Sequence, residues 1–95
     1  MEKELSNKKY KQLYTAFALL KNEKEQQAFL RDLCTMKELE EMANRLEAVF
    51  LLSQKVPYRN IADQTGLSTA TVTRIAHWLR HGEGGYRLVL KRTKA

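Results

Sequence analysis

The chain is expected to be all-α, six helices in one small domain spanning residues 1–95. Three observations predict this. Apolar residues recur at three- and four-residue spacing almost throughout, no stretch alternates with the period of two that a half-buried strand needs, and helix start and stop residues divide the chain at short intervals. With 95 residues there is length for a single domain, and 43% hydrophobic with 29% charged residues is a composition that folds rather than staying disordered.

Tyr10, Leu13, Tyr14, Phe17 and Leu20 mark a first helix near 9–20, and Phe29, Leu30 and Leu33 mark a second over 23–33. Asn22 with Glu25, and Thr35 with Glu38, have the spacing of capping boxes, in which each side chain satisfies a free amide of the other. The third helix, 36–54, carries Leu39, Met42, Ala43, Leu46 and the run Val49-Phe50-Leu51-Leu52. Apolar residues on more than one of its stripes predict a central helix buried on several sides. Such a helix needs partners, and the Tyr10, Tyr14, Phe17 stripe is read as packing a core rather than stacking bases.

Pro57 ends that run and suits the first position of a helix over 58–65. Gly66 follows where a chain leaves a helix through positive φ, and Ser68 caps a helix over 69–81. Gly82, Gly84 and Gly85 stop it. A last helix, 85–94, has Tyr86, Val89, Leu90 and Thr93 on one face and Arg87, Lys91 and Lys94 on another.

The net charge of +6 is unevenly spread. Residues 1–35 hold seven Lys/Arg against five Asp/Glu, residues 36–57 three against four, and residues 58–95 seven against two. Positive charge gathered at one end attracts nucleic acid, or less often an anionic membrane surface. A lone cysteine makes no internal disulfide and suits a reducing cytoplasm. Nothing resembles a signal peptide or a membrane span, since the longest apolar run, residues 48–52, is five residues.

Residues 58–81 have the spacing of a helix-turn-helix. Ile61, Leu67, Val72 and Ile75 face inward, small Ala62 sits where the helices cross, and Gly66 makes the turn. Two helices crossing steeply over a short turn need a small contact residue and a residue free to take positive φ. The outward face at the start of the second helix offers Ser68, Thr69, Ala70, Thr71 and Thr73, short side chains that let backbone approach a major groove and reach phosphates or base edges. Arg59, Arg74 and Arg80 surround them as phosphate contacts.

The segment Ser68-Thr69-Ala70-Thr71-Val72-Thr73-Arg74 resembles the A-T-[IV]-T-R segment that opens the recognition helix of the tryptophan repressor. The likeness runs over residues 33–92 through Thr35, Glu38, Arg45 and Leu51-Leu52. It is greatest to the small tryptophan-repressor-related proteins of Gram-positive bacteria, which have a stretch similar to Gly84-Gly85-Tyr86. This resemblance implies an intertwined homodimer, with residues 9–54 as dimerisation helices and Tyr10, Tyr14 and Phe17 in the dimer core, whose two reading heads face successive major grooves. It also implies an effector pocket at Arg45, Arg74 and Trp78, because the repressor holds indole between two arginines. Where that pocket has Gly and Ser, however, this chain has Ile75 and Trp78. Their bulk is expected to fill the slot, which argues against tryptophan as corepressor.

Other candidate chemistry reads blandly. His77 and His81 stand four apart on one face, a spacing that holds zinc only with further ligands, and are expected to be a solvated, DNA-facing pair. Cys34 is expected to be a buried small hydrophobe, and Glu38, Glu40 and Glu41 to compensate a helix dipole. No catalytic constellation, metal site or cofactor motif stands out. The expected function is sequence-specific binding of double-stranded DNA by a dimeric bacterial regulator, a repressor, with residues 68–74 in the major groove. The rival reading is a helical adaptor or RNA-binding module that keeps the fold without reading duplex DNA.

Overall fold

The computed structural model describes residues 7–94, with six helices and no strand among them. The helices are α1 (Lys8–Leu19), α2 (Glu23–Leu33), α3 (Met36–Ser53), α4 (Tyr58–Thr65), α5 (Thr69–His81) and α6 (Gly85–Thr93). Each lies within a residue of its expected span. The expected single domain resolves into two compact units, one through Leu39 and one from Glu40 onward, so the division falls inside α3.

Side-chain caps build the first unit. Asn7 accepts from the amides of Lys9 and Tyr10 at 2.8 and 3.2 Å and starts α1. Asn22 accepts from the Glu25 amide at 2.9 Å, but the Glu25 carboxylate takes the amide of Lys21, one residue before the cap, so this capping box is only half formed. At α3 the box is complete, with the Thr35 amide donating to Glu38 at 2.8 Å and the Glu38 amide to Thr35 Oγ1 at 3.1 Å. The Thr35 amide, and after it the Thr35 hydroxyl, holds the Glu38 carboxyl below its usual range. A lowered folded-state value means that this support is complete above the ordinary carboxylate range and is lost as pH falls through the lowered value.

Phe17 meets Phe29 edge to face, with ring centroids 5.2 Å apart. No residue of α1 or α2 is fully buried, and Tyr10, Tyr14 and Leu19 lie exposed.

The second unit holds the core. Val49, Ile61 and Val72 are wholly buried with Ala48, Ile75 is buried beside them, and Leu51, Leu52, Ala62, Leu67, Tyr86 and Leu90 pack around them. Each buried Val or Ile contributes roughly 1.5–3 kcal/mol. Only Ala48 and Val49 of α3 are buried, while Met42 and Leu46 are exposed. The expectation of an α3 buried on several sides is therefore corrected for the single chain. Its apolar residues take up most of the helix circumference, and the core of this unit draws on Ala48 and Val49 alone as fully buried residues.

Pro57 is not what stops α3. The helix ends through Lys55 at φ 63, with the Val56 amide reaching back to the Leu51 carbonyl at 3.1 Å. That is the left-handed closure glycine usually serves. A Cβ-bearing residue in this region costs about 1–2 kcal/mol. Replacing Lys55 with Gly should raise stability by about 0.5–1 kcal/mol in urea unfolding. Gly66 has φ +76 with open space where a Cβ would stand. Gly66→Ala should thus lower stability by about 1–2 kcal/mol through backbone strain alone, and Gly66→Asn by less.

Candidate nucleic-acid interface

The helix-turn-helix is closed by groups on both sides of its turn. Gly66 leaves α4 in the left-handed region while its amide donates to the Ala62 carbonyl at 2.9 Å. Thr65, buried, donates its hydroxyl to the Ile61 carbonyl at 2.7 Å and accepts from the Leu67 amide at 3.2 Å. One hydroxyl thereby bridges the end of α4 to the extended link before α5. Sequence periodicity singles out Gly66 and passes over Thr65, because a threonine at a helix end looks like ordinary surface until its hydroxyl geometry is seen. Ile61, Val72 and Ile75 are buried and Ala62 and Leu67 half-buried.

Ser68 caps α5 by accepting from the Thr71 amide at 3.0 Å, and its hydroxyl donates to Thr71 Oγ1 at 2.9 Å. Thr71 is half-buried, whereas Thr69, Ala70, Thr73 and Arg74 are exposed. Thr73 returns its hydroxyl proton to the Thr69 carbonyl at 2.9 Å, which leaves its oxygen lone pairs outward. The open face at the start of α5 is therefore made by Thr69, Ala70 and Thr73.

The arginines of α4 and α5 are free of acidic partners among the described residues. Among the described residues the single ion pair joins Arg45 to Glu41 at 3.6 Å, and no acidic side chain engages Arg59, Arg74 or Arg80. Arg80 instead donates to the Tyr58 hydroxyl at 3.2 Å, and Arg87 donates to the Arg80 carbonyl at 2.9 Å. These two bonds tie α4 and α6 to the end of α5. Neither is legible as a sequence pattern, since both join residues whose types suggest only solvation.

Arg45, Arg74 and Trp78 do line one concavity, with Thr71, Ile75 and Tyr86, of about 260 Å³. The expectation that Ile75 and Trp78 fill it is corrected. Ile75 is spent on the core at 4% exposure and Trp78 stands 54% exposed, so its ring walls the concavity rather than plugging it. The described lining presents two guanidinium groups and no carboxylate.

His77 and His81 lie exposed on α5 with ring centroids 5.0 Å apart, and no group of three or more metal-ligating side chains occurs among the described residues. Cys34 is half-buried at the end of α2, more open than expected. No helix among the described residues is long and apolar enough to cross a membrane.

A family profile described as Trp repressor protein matches residues 8–94. The chain belongs to the Trp repressor family. Among its relatives is YerC of Bacillus subtilis strain 168, a protein without characterised function, 37% identical over 90 residues that cover 95% of this chain and 86% of that one. A TrpR-like protein from Eubacterium eligens superposes with a TM-score of 0.91 at 33% identity, over 98% of this chain and 96% of its own. A Staphylococcus aureus structure described provisionally as a Trp repressor superposes at 0.87 with 31% identity, over 96% and 91%. The all-α, six-helix architecture is thus that of the Trp repressor family, a family of regulators rather than enzymes.

Ile75 and Trp78 carry different loads. Ile75→Ala should cost about 2–5 kcal/mol by leaving a core cavity. Trp78→Ala, at a half-exposed wall, should cost about 1 kcal/mol or less. Chemical denaturation of the two variants checks the assignment, and equal losses would mean that Trp78 belongs to the core.

Proposed function

We propose that this protein is a homodimeric, sequence-specific DNA-binding regulator, a repressor, that lays the start of α5 in a major groove. The observation that carries this reading is the exposed Thr69, Ala70 and Thr73 face, presented at a capped helix start with Arg74 beside it, while Arg80 further along α5 and Arg59 on α4 also have no acidic partner among the described residues. Short side chains allow close approach, and unpaired guanidiniums seek phosphates. Thr69 and Ala70 meet base edges or thymine methyls, Ser68 and Thr73 face the backbone, and Thr71, turned inward by Ser68, supports the cap more than it reads. Family membership supports a DNA partner over a protein or RNA partner.

The dimer rests on what one chain leaves uncovered. Tyr10, Tyr14 and Leu19 on α1, Met42 and Leu46 on α3, and Leu88 and Val89 on α6 are exposed large apolar side chains. In a 95-residue protein so many scattered over three helices suggest a second copy covering them. Sedimentation equilibrium at micromolar concentration should give about twice 11.1 kDa, and a monomer there would contradict the dimer.

Selection from a random duplex library should return a site with two related halves about one helical turn apart. That site should compete better than random duplex and better than single-stranded RNA, whereas equal competition by RNA would favour the RNA-binding reading. Arg59→Ala should weaken cognate and random duplex alike and flatten the salt dependence by a slope of about one. Thr69→Ala should instead lose roughly 1–3 kcal/mol of preference at one position of the site.

Tryptophan is not the effector on this reading. The described concavity offers cations to a carboxylate and no acidic side chain to an ammonium group. A ligand shifts a binding equilibrium only through differential affinity for the competent state. Calorimetry with L-tryptophan should show no saturable heat, and duplex affinity should be unchanged by it. Saturable binding that tightens the duplex complex would restore tryptophan gating.

A further inference from the structure

The solvent side of α5 continues beyond its threonines. At about 100° per residue, the direction opposite the buried Val72, Ile75 and Ala76 passes close to Ala70, His77 and His81. His77 is one turn from Thr73 on one side and from Arg80 on the other, and lies about 10 Å along the axis from Ala70. Its ring is exposed, 5.0 Å from His81 and edge-on to Trp78 at 5.4 Å. Among the described residues no hydrogen bond or ion pair engages either imidazole, so none of those residues uses their donors.

The charged surroundings favour an anion. On α5 itself stand Arg74 and Arg80. The elements packed against it bring Arg59 and Asp63 from α4, Arg45 and Glu47 from α3, and Arg87, Lys91 and Arg92 from α6, with Glu83 in the turn after α5. Arg45 is already paired with Glu41. A neutral imidazole offers a phosphate one N–H, while an imidazolium offers two and a full charge.

We propose that His77 is a backbone-phosphate contact that takes up a proton when duplex DNA binds. The inference rests on α5 being the duplex-contacting helix. Of the two exposed imidazoles, that of His77 lies one turn nearer the threonine face, so the uptake is assigned to it. Duplex affinity then rises as pH falls from 8 to 6, the interval in which an ordinary imidazole gains its charge.

Anisotropy with a mixed-sequence duplex of about 30 base pairs, bearing a dye insensitive to pH, tests this at fixed low ionic strength. The parent should bind at least about fivefold more tightly at pH 6 than at pH 8, because an imidazolium bonded to phosphate holds its proton more tightly than a free one. His77→Gln should lose most of that gain whatever its affinity at pH 8, His77→Lys should bind tightly at both pH values, and His81→Gln should keep the gain. An unchanged pH response in His77→Gln, or none in the parent, would overturn the proposal while leaving duplex binding intact. No duplex binding by the parent at either pH would overturn the DNA-binding reading and this inference with it.

Discussion

The crossing of α4 over α5 rests on contact among Val49, Ile61 and Val72, the largest side chains that this chain buries completely. Every outward feature of α5 takes its direction from that contact. Val72 and Ile75 turned into the core oblige Ala70, Thr73 and His77 to face solvent, because a helix presents opposite faces at residue offsets near two and five. The turn between the helices has little freedom left. Gly66 supplies the left-handed residue, Thr65 holds both ends of the link through one hydroxyl, and Ser68 fixes the first turn of α5. Tyr58 with Arg80, and Arg87 with the Arg80 carbonyl, secure the far end.

A core this small also explains what the chain leaves undone. Six buried hydrophobic residues serve the second unit, and none lies in α1 or α2. Their apolar side chains nonetheless recur at helical spacing, a pattern that costs solubility unless something covers it. The proposed second copy would cover it, and a twofold pair of reading heads would follow from that proposal. Charge supports the same arrangement, since the surplus of Lys and Arg sits in residues 58–95, where the exposed helix start lies.

Much of this is legible in the sequence because local chemistry sets it. Asn22, Thr35 and Ser68 are caps by residue type and spacing, Gly66 is a turn by its freedom at positive φ, and the family segment at residues 68–74 stands at the start of α5, where its spacing puts it. The end of α3 is less legible, because a lysine does the work usually given to glycine and composition carries no sign of it. The slot beside Arg74 departs from expectation for a related reason. Bulk at Ile75 and Trp78 suggests filling, yet side-chain direction decides, and one residue turns into the core while the other stays at the rim. Periodicity likewise overstates the burial of α3, since it records which residues are apolar and not how many neighbours one chain supplies. Thr65 and Tyr58 matter through single hydroxyl groups, which no spacing rule reports.

The central claim is that the start of α5 meets duplex DNA. Amide chemical-shift mapping of the isotopically labelled protein during titration with its selected duplex tests it residue by residue. The account predicts that the large perturbations cluster at residues 66–77 and at the start of α4 around Arg59, with α1 and α2 nearly silent. Perturbations centred on α1 or α2, with α5 unchanged at saturating duplex, would contradict it.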